Sequence, residues 1–315
     1  MKNRSDLNGI DVVIVNWNTS DHLEHCLASL QRCVELGQVV IVDNASTDDS
    51  LDVAEESIRA LKATVIRNES NVGFGRACNQ GAARCRASYV LFLNPDTRVR
   101  ADSLEKVTAF FESPAGSTYA ICGVRMTDPE GHWAIPGGPF PSLRLVLGNV
   151  TRLNRIAPRL FPARHSSPTH GSGPIDHVIG AFLAIRRSVF EALGGFDQRY
   201  FIYYEEVDLC LRARDSGWGS FHIEDGDVVH IGNVSTQQIM GRRLFYSLRS
   251  RHQYAARHWT PAARRGLMLV EFGLELPARM ASEMATRRSL VPRETLQGYR
   301  LYTNALTHAF RADTF

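Results

Sequence analysis

The stretch Tyr89-Val90-Leu91-Phe92-Leu93-Asn94-Pro95-Asp96 decides how this chain is read. Five consecutive apolar residues, aromatic and branched, predict a buried strand, and Asn-Pro-Asp predicts the turn that ends it. Open α/β sheets bind ligands beyond the carboxyl ends of their strands, so Asp96 stands where a ligand would be. A carboxylate there is a candidate ligand for Mg²⁺ or Mn²⁺, since Mg²⁺ takes one or two protein carboxylates with phosphate oxygens and water completing its shell. By itself the tripeptide is better explained as a turn whose Asp96 caps the next helix. The motifs around it change that balance.

Before this strand the chain alternates. Asp11-Val12-Val13-Ile14-Val15 and Val39-Val40-Ile41-Val42 are β-rich, each followed by residues with helical spacing, and Thr64-Val65-Ile66 is a third short strand. After the second strand, Asp48-Asp49-Ser50 supply capping groups, and Leu51, Ala54, Ile58 and Leu61 form one apolar helix face. This order predicts an α/β fold with a parallel, doubly wound half-sheet. Pro, Gly and Ser bracket an inserted loop over 136–174, with a short helix at Leu143–Leu153. Val178–Ile185 then reads as strand and Arg187–Leu193 as helix, stopped by Gly194-Gly195. Beyond Ser235 the pattern is helical. The expected division is a domain over 1–235 and a helical extension over 236–315.

At 315 residues, with 44% hydrophobic and 22% charged residues, the composition is that of a globular protein with a sizeable core. No apolar run approaches a membrane span, and Met1-Lys2-Asn3-Arg4-Ser5-Asp6 opens no signal-peptide core, so the expected location is the cytoplasm. Six scattered cysteines without paired CxxC spacing read as reduced, buried thiols. The net charge of +3 is unevenly placed. Residues 131–175 contain no Asp or Glu but hold Arg144, Arg152, Arg155, Arg159 and Arg164, and residues from Thr236 onward hold thirteen Arg against five acids. Such segments bind phosphate or lie on an anionic membrane surface, here the inner face of the cytoplasmic membrane. With three Lys in the whole chain, an ordinary solvated Arg-rich face is an equal reading. Nucleic acid is not an expected partner.

The first βα turn, Asn16-Trp17-Asn18-Thr19-Ser20, lacks the spaced glycines a dinucleotide needs, and the chain has no P-loop. Asp43, with Asn44-Ala45-Ser46-Thr47-Asp48, offers hydrogen bonds to a pyrimidine edge and a ribose. In Tyr203-Tyr204-Glu205-Glu206-Val207-Asp208, acids at a helix start suit the helix dipole, while one of them can face a cleft as a general base. His230, at the end of Val228-Val229-His230, is either structural or a second metal ligand.

Taken in order, Val-Asn-Trp-Asn (15–18), Val-Asp-Asn-Ala-Ser-Thr-Asp (42–48), Asn-Val-Gly-Phe-Gly-x-x-x-Asn-Gln-Gly (71–81), Leu-Asn-Pro-Asp (93–96), Gly-Gly-Phe-Asp (194–197), Tyr-Glu-Glu-Val-Asp-Leu-Cys-Leu-Arg (204–212) and Val-His (229–230) resemble family 2 glycosyltransferases. Within them the chain looks most like the bacterial rhamnosyltransferases, over roughly residues 10–235. The resemblance implies a GT-A fold, an α/β mixed sheet flanked by helices, with a nucleotide-diphosphosugar donor, Mg²⁺ or Mn²⁺, and inversion at the anomeric carbon. It puts Asn16, Asn18, Asp43, Asn44, Asn71, Gly73, Phe74, Asn79 and Asn94 on the donor. Asp96 would hold the metal as the last residue of a degenerate DxD, and His230 would complete that site. Glu206 would be the base, with Glu205 the alternative. The subgroup suggests dTDP-rhamnose as donor and a polyprenyl-diphosphate-sugar or other cell-envelope glycan as acceptor, with Arg152, Arg155, Arg159 and Tyr204 on the acceptor side. Asn94 stands where the first DxD carboxylate is usual, and Glu206 where Asp is common. Two other classes compete: a nucleotidyltransferase acting on sugar phosphates, which would need a basic Gly-rich loop after its first strand, and an inactive nucleotide-sugar-binding module, which would be expected to lose its acids.

Overall fold

The computed structural model describes residues 9–134, 137–161, 171–232, 240–287 and 292–312. Arg164, Pro136 and the N-terminal residues Met1–Asp6 used above lie outside them. The strands are β1 (Ile10–Asn16), β2 (Leu36–Asp43), β3 (Thr64–Arg67), β4 (Tyr89–Leu93), β5 (Thr97–Val99), β6 (Tyr119–Thr127), β7 (Trp133–Ala134), β8 (Gly137–Gly138), β9 (Gly173–Ile175), β10 (His177–Val178), β11 (Phe182–Arg186) and β12 (Gly219–His230). The helices are α1 (His22–Leu30), α2 (Ser50–Val53), α3 (Glu55–Ala60), α4 (Phe74–Ala82), α5 (Ser103–Glu112), α6 (Leu143–Thr151), α7 (Arg187–Ala192), α8 (Glu205–Asp215), α9 (Met240–His258), α10 (Pro261–Val270), α11 (Leu276–Arg287) and α12 (Arg293–Ala312).

Contacts divide the chain into two compact units. The first comprises Met1–Gly138, Ser167–Gln198 and Glu205–Ser235, and the second Pro139–Ser166, Arg199–Tyr204 and Thr236–Phe315. Residues 139–166 and 199–204, which the sequence reading assigns to the first domain, thus group with the C-terminal helices.

The first unit is built on a ten-stranded mixed sheet in the order β3-β2-β1-β4-β11-β6-β12-β5, with β7 on β6 and β9 on β12. Its parallel half, β3-β2-β1-β4, is where the alternating pattern places it. Branched residues fill β1 and the end of β2 because both faces of these strands are covered, and Val12, Ile14, Val39 and Ile41 join one core with Leu23 and Leu27 of α1. On the other face α4 comes close to the sheet at Gly81, where a Cβ would lie 2.4 Å from Val13 Cγ1. The helix expected over 48–61 is two short ones meeting at Ala54, and the run 178–185 divides between β10 and β11. The six cysteines are buried and free, and burial pushes the Cys33 thiol up to about 11.

One buried carboxylate holds the amino edge of the sheet. Asp11 accepts from the backbone N–H groups of Gln38 (2.9 Å), Arg86 (2.6 Å) and Ala87 (2.9 Å), joining β1, β2 and the approach to β4. Asp11→Ala would leave all three donors unpaired, and each buried unpaired donor costs about 1–3 kcal/mol. Urea denaturation should therefore show a loss of about 3–5 kcal/mol. A loss below about 1 kcal/mol would mean that water replaces the carboxylate.

In the second unit, α6, α9 and α10 share a core of Val146, Ala255, Leu267 and Val270, and Leu248 packs with Tyr299, Tyr302 and Leu306 of α12. Arg251 pairs with Glu271 at 2.8 Å, and Glu271 also accepts from the Tyr302 hydroxyl at 2.8 Å. Residues 199–204 belong to this unit through the stacking of Phe201 on Tyr246 and the Ser250 hydroxyl bond to the Ile202 carbonyl. Among the described residues no helix is long and apolar enough to cross a membrane.

Candidate active site

The carboxyl ends of β1, β2 and β4 lie side by side because the register pairs Asn16 with Asp43 and Ile14 with Leu93. Asn16 is fully buried, its amide nitrogen 2.9 Å from Asp43 Oδ1, 2.9 Å from Ser50 Oγ and 3.1 Å from Ser46 Oγ. It aims the Asp43 carboxylate from below. Asp43 Oδ2 accepts from the Ser46 N–H at 3.3 Å. Asn18 is left-handed (φ 52°), and its side-chain oxygen accepts from the Thr47 N–H at 2.7 Å, closing the first βα turn against the second.

The 71–75 loop is held to the same edge by Asn44. Its amide nitrogen donates to Asn71 Oδ1 (2.9 Å), and its oxygen accepts from the Val72 N–H (3.0 Å) and from Asn68 (3.1 Å). Gly73 then turns the chain into α4 with φ 90°, a conformation that favours glycine.

The 94–97 turn leaves β4 with the Asn94 N–H bonded to the Ala181 carbonyl at 3.0 Å. Antiparallel pairing of β12 with β5 sets His230 opposite Thr97, and the Ile231 N–H donates to the Asp96 carbonyl at 3.0 Å. The side chains meet: His230 Nε2 lies 3.3 Å from Asp96 Oδ1. This oxygen is buried without a hydrogen-bond partner, so the two atoms are close but not in hydrogen-bonding geometry. A divalent ion bound octahedrally at about 2.1 Å holds neighbouring ligand atoms about 3 Å apart. An orphaned carboxylate oxygen and an imidazole nitrogen at this separation fit such an ion.

Glu205 and Glu206 open α8 beside the same edge. A Cβ on Gly180, next to the Ala181 that holds Asn94, would lie 3.7 Å from Phe74 Cε1 and 4.0 Å from the Glu206 Cβ, so Phe74 and Glu206 flank one glycine. Glu205 lies against Gly75 of α4. Its Cβ would be 3.5 Å from a Cβ on Gly75, it is buried, and its Oε2 has no hydrogen-bond partner. Burial, and then the charge of Glu206, push the Glu205 carboxyl well above the usual carboxylate range. Asp208 is fully buried and pairs with Arg212 at 2.7 Å, while Arg212 also donates to the carbonyls of Leu193 and Gly195.

The glycosyl transferase family 2 model matches residues 11–194. The chain belongs to this family. A relative from Mycobacterium tuberculosis, N-acetylglucosaminyl-diphospho-decaprenol L-rhamnosyltransferase, is 29% identical over 241 residues, 70% of this chain and 75% of its own length. Rhamnosyltransferase WbbL of Escherichia coli is 24% identical over 78% of this chain and 92% of its own. Among solved structures, a mannosyltransferase from Pyrobaculum calidifontis in complex with GDP-Man and Mn²⁺ superposes with a TM-score of 0.57 at 16% identity, over 98% of this chain and 83% of that one. TarS of S. aureus in complex with UDP-GlcNAc gives 0.54 at 16% identity, over 93% and 79%. These likenesses show the GT-A fold. With the family established, the nucleotidyltransferase alternative is set aside.

For this glycosyltransferase, some residues expected at the donor have other partners. Asn79 uses its amide on the backbone of Phe196, donating to the carbonyl (2.8 Å) and accepting from the N–H (2.9 Å), so it braces the 194–197 turn. Tyr204, expected at the acceptor, is buried with its ring 5.5 Å from that of Tyr254. It and Tyr203 have φ of 71° and 70°, strained for residues with side chains. Arg152, Arg155 and Arg159 are exposed and lie in the second unit. Sequence reasoning missed Gly180-Ala181, which carry no motif. Asp128, Glu130 and His132 also bring ligand-type atoms together, but at an exposed hairpin where His132 is hydrogen-bonded to Asp128.

Proposed function

We propose that this glycosyltransferase moves L-rhamnose from dTDP-rhamnose to a polyprenyl-diphosphate-sugar of the cell envelope, with inversion at the anomeric carbon, at the inner face of the cytoplasmic membrane. The observation that carries the donor side is the orphaned Asp96 carboxylate beside His230, at the strand ends where Asp43 presents its carboxylate. Names of relatives support the sugar and the acceptor, since the Mycobacterium tuberculosis protein is an N-acetylglucosaminyl-diphospho-decaprenol L-rhamnosyltransferase and WbbL a rhamnosyltransferase.

In this reading Asp43 takes the base or ribose, and the backbone around Asn44, Asn71 and Gly73 shapes the wall beside it. Asp96 and His230 would hold Mg²⁺ or Mn²⁺, which supplies positive charge to the departing diphosphate. Glu206 accepts the proton of the acceptor hydroxyl as that oxygen attacks C1 from the face opposite the nucleotide. The C1–oxygen bond to the diphosphate breaks as the new glycosidic bond forms. Glu205, buried against α4 with its carboxyl pushed up by burial and then by Glu206, is not assigned the base role. Arg152, Arg155 and Arg159 are proposed to attract the acceptor diphosphate.

Thermal-shift measurements with a panel of nucleotide sugars and Mn²⁺ test the donor, because a bound ligand stabilises the fold by mass action. At ligand a hundredfold above its Kd the gain is about 2.7 kcal/mol. The largest shift is expected with dTDP-rhamnose. A larger, Mn²⁺-dependent shift with a uridine or guanosine diphosphosugar would reassign the donor.

A further inference from the structure

The short segment after α6 has two apolar sides. Arg152 ends the helix in the left-handed conformation (φ 60°), and bonds from the Ala157 N–H to the Leu153 carbonyl (2.8 Å) and from the Phe161 N–H to the Ala157 carbonyl (3.0 Å) keep the chain wound. On the inner side Asn154 donates to Asn149 Oδ1 at 2.9 Å, and Phe161 lies against Gly148, where a Cβ would come within 2.7 Å of it. On the outer side Ile156 is 82% and Leu160 64% exposed. Arg152, Arg155 and Arg159 are exposed with them. Residues 131–175 contain no acid, and among the described residues none pairs with these three cations.

A diphosphate accounts for the cations but not for an isoleucine and a leucine held out among them. A second copy of this chain would have to present acids and an apolar hollow together. An anionic bilayer offers phosphates at its surface and an apolar layer just beneath, and so matches both kinds of exposed side chain on this segment. We propose that residues 152–160 form a docking tip for an anionic lipid bilayer. Ile156 and Leu160 enter the acyl boundary, and Arg152, Arg155 and Arg159 bind headgroup phosphates. The proposal deepens the reading of a lipid-linked acceptor, which it rests on for its purpose though not for its test.

The full chain is sedimented with vesicles of phosphatidylcholine alone and of phosphatidylcholine mixed with phosphatidylglycerol, at low and high salt. Binding is expected to the anionic vesicles and to weaken with salt. Ile156→Ser with Leu160→Ser, and separately Arg152→Gln with Arg155→Gln and Arg159→Gln, should each lower partitioning on the order of a hundredfold. All five side chains are exposed, and unchanged circular dichroism and melting confirm that the variants fold. Wild-type protein that stays in the supernatant overturns the proposal. So does serine-variant binding equal to wild type, which would leave electrostatic attraction alone, or a wild-type dimer that the serine pair dissociates, which would give the face to a second copy. The serine pair should also keep its thermal shift with dTDP-rhamnose and its transfer to a water-soluble acceptor analogue. Failure of those two in the wild type, with vesicle binding intact, would count against the rhamnosyltransferase reading and leave the docking tip standing.

Discussion

Glu206→Gln is expected to cut kcat by ~10²–10⁴-fold, the range that general-base catalysis contributes, while donor affinity hardly moves. The substitution keeps the shape and removes the basicity. The neighbouring carboxyl makes the sharper comparison, because the two glutamates have opposite surroundings. Glu206 is half-buried and flanks Gly180, whereas Glu205 is buried against α4 with its carboxyl pushed up by burial and by Glu206. A carboxyl raised in the folded state holds its proton to higher pH there than in the unfolded chain, so between the two values the unfolded state binds fewer protons. Stability contributed at this site is therefore present below the unfolded value and is lost as pH rises through the folded one. Glu205→Gln removes that penalty. It should melt higher than wild type at neutral pH, with the gap closing as pH falls to the ordinary carboxylate range, and should keep most of its kcat. A dead Glu205→Gln alongside a near-normal Glu206→Gln would reverse the two roles. Normal turnover in both would place the base elsewhere, although the next carboxylate, Asp208, is already committed to Arg212.

Asp96→Ala should abolish metal-dependent donor binding, weakening it by at least about a hundredfold, since it removes a carboxylate that would hold the divalent ion neutralising the diphosphate. Folding should survive. The bond that ties this residue to the β12 end runs from the Ile231 N–H to the Asp96 backbone carbonyl, which alanine retains. Titration of dTDP-rhamnose with and without Mn²⁺ reads the effect directly, and Glu206→Gln serves as the control that keeps donor binding. An Asp96→Ala protein whose donor affinity responds to Mn²⁺ as the wild type does would show that the ion sits elsewhere. His230→Ala should give a smaller loss of the same kind, because one ligand would remain.

The elements were legible where local pattern and burial agree. Continuous apolar runs mark β1, β2 and β4, since a strand covered on both faces has no polar side to interrupt it. The helix in the inserted loop lies close to its expected span, and its end at a left-handed Arg152 had no signal because arginine is not a residue that favours that conformation. The break at Ala54 is likewise unmarked, as alanine favours helix continuation. Asn79 shows the limit from the other side. The 71–81 motif drew attention to it, yet its partner Phe196 lies 117 residues away, so only the packing of α4 shows that its amide braces a turn.

Sequence alone determined the family-like order of motifs, the parallel half of the sheet and which acids stand at its ligand-binding edge, because strand ends and turns are written in local runs of residue types. Tertiary structure decided which of those side chains come together. The Asp96–His230 pair depends on β12 running antiparallel to β5 in one register, and the difference between Glu205 and Glu206 depends on which of two adjacent side chains α4 covers. Neither is encoded within a few residues of the groups concerned: strand register between distant segments and the burial of a carboxyl arise from the whole packed unit.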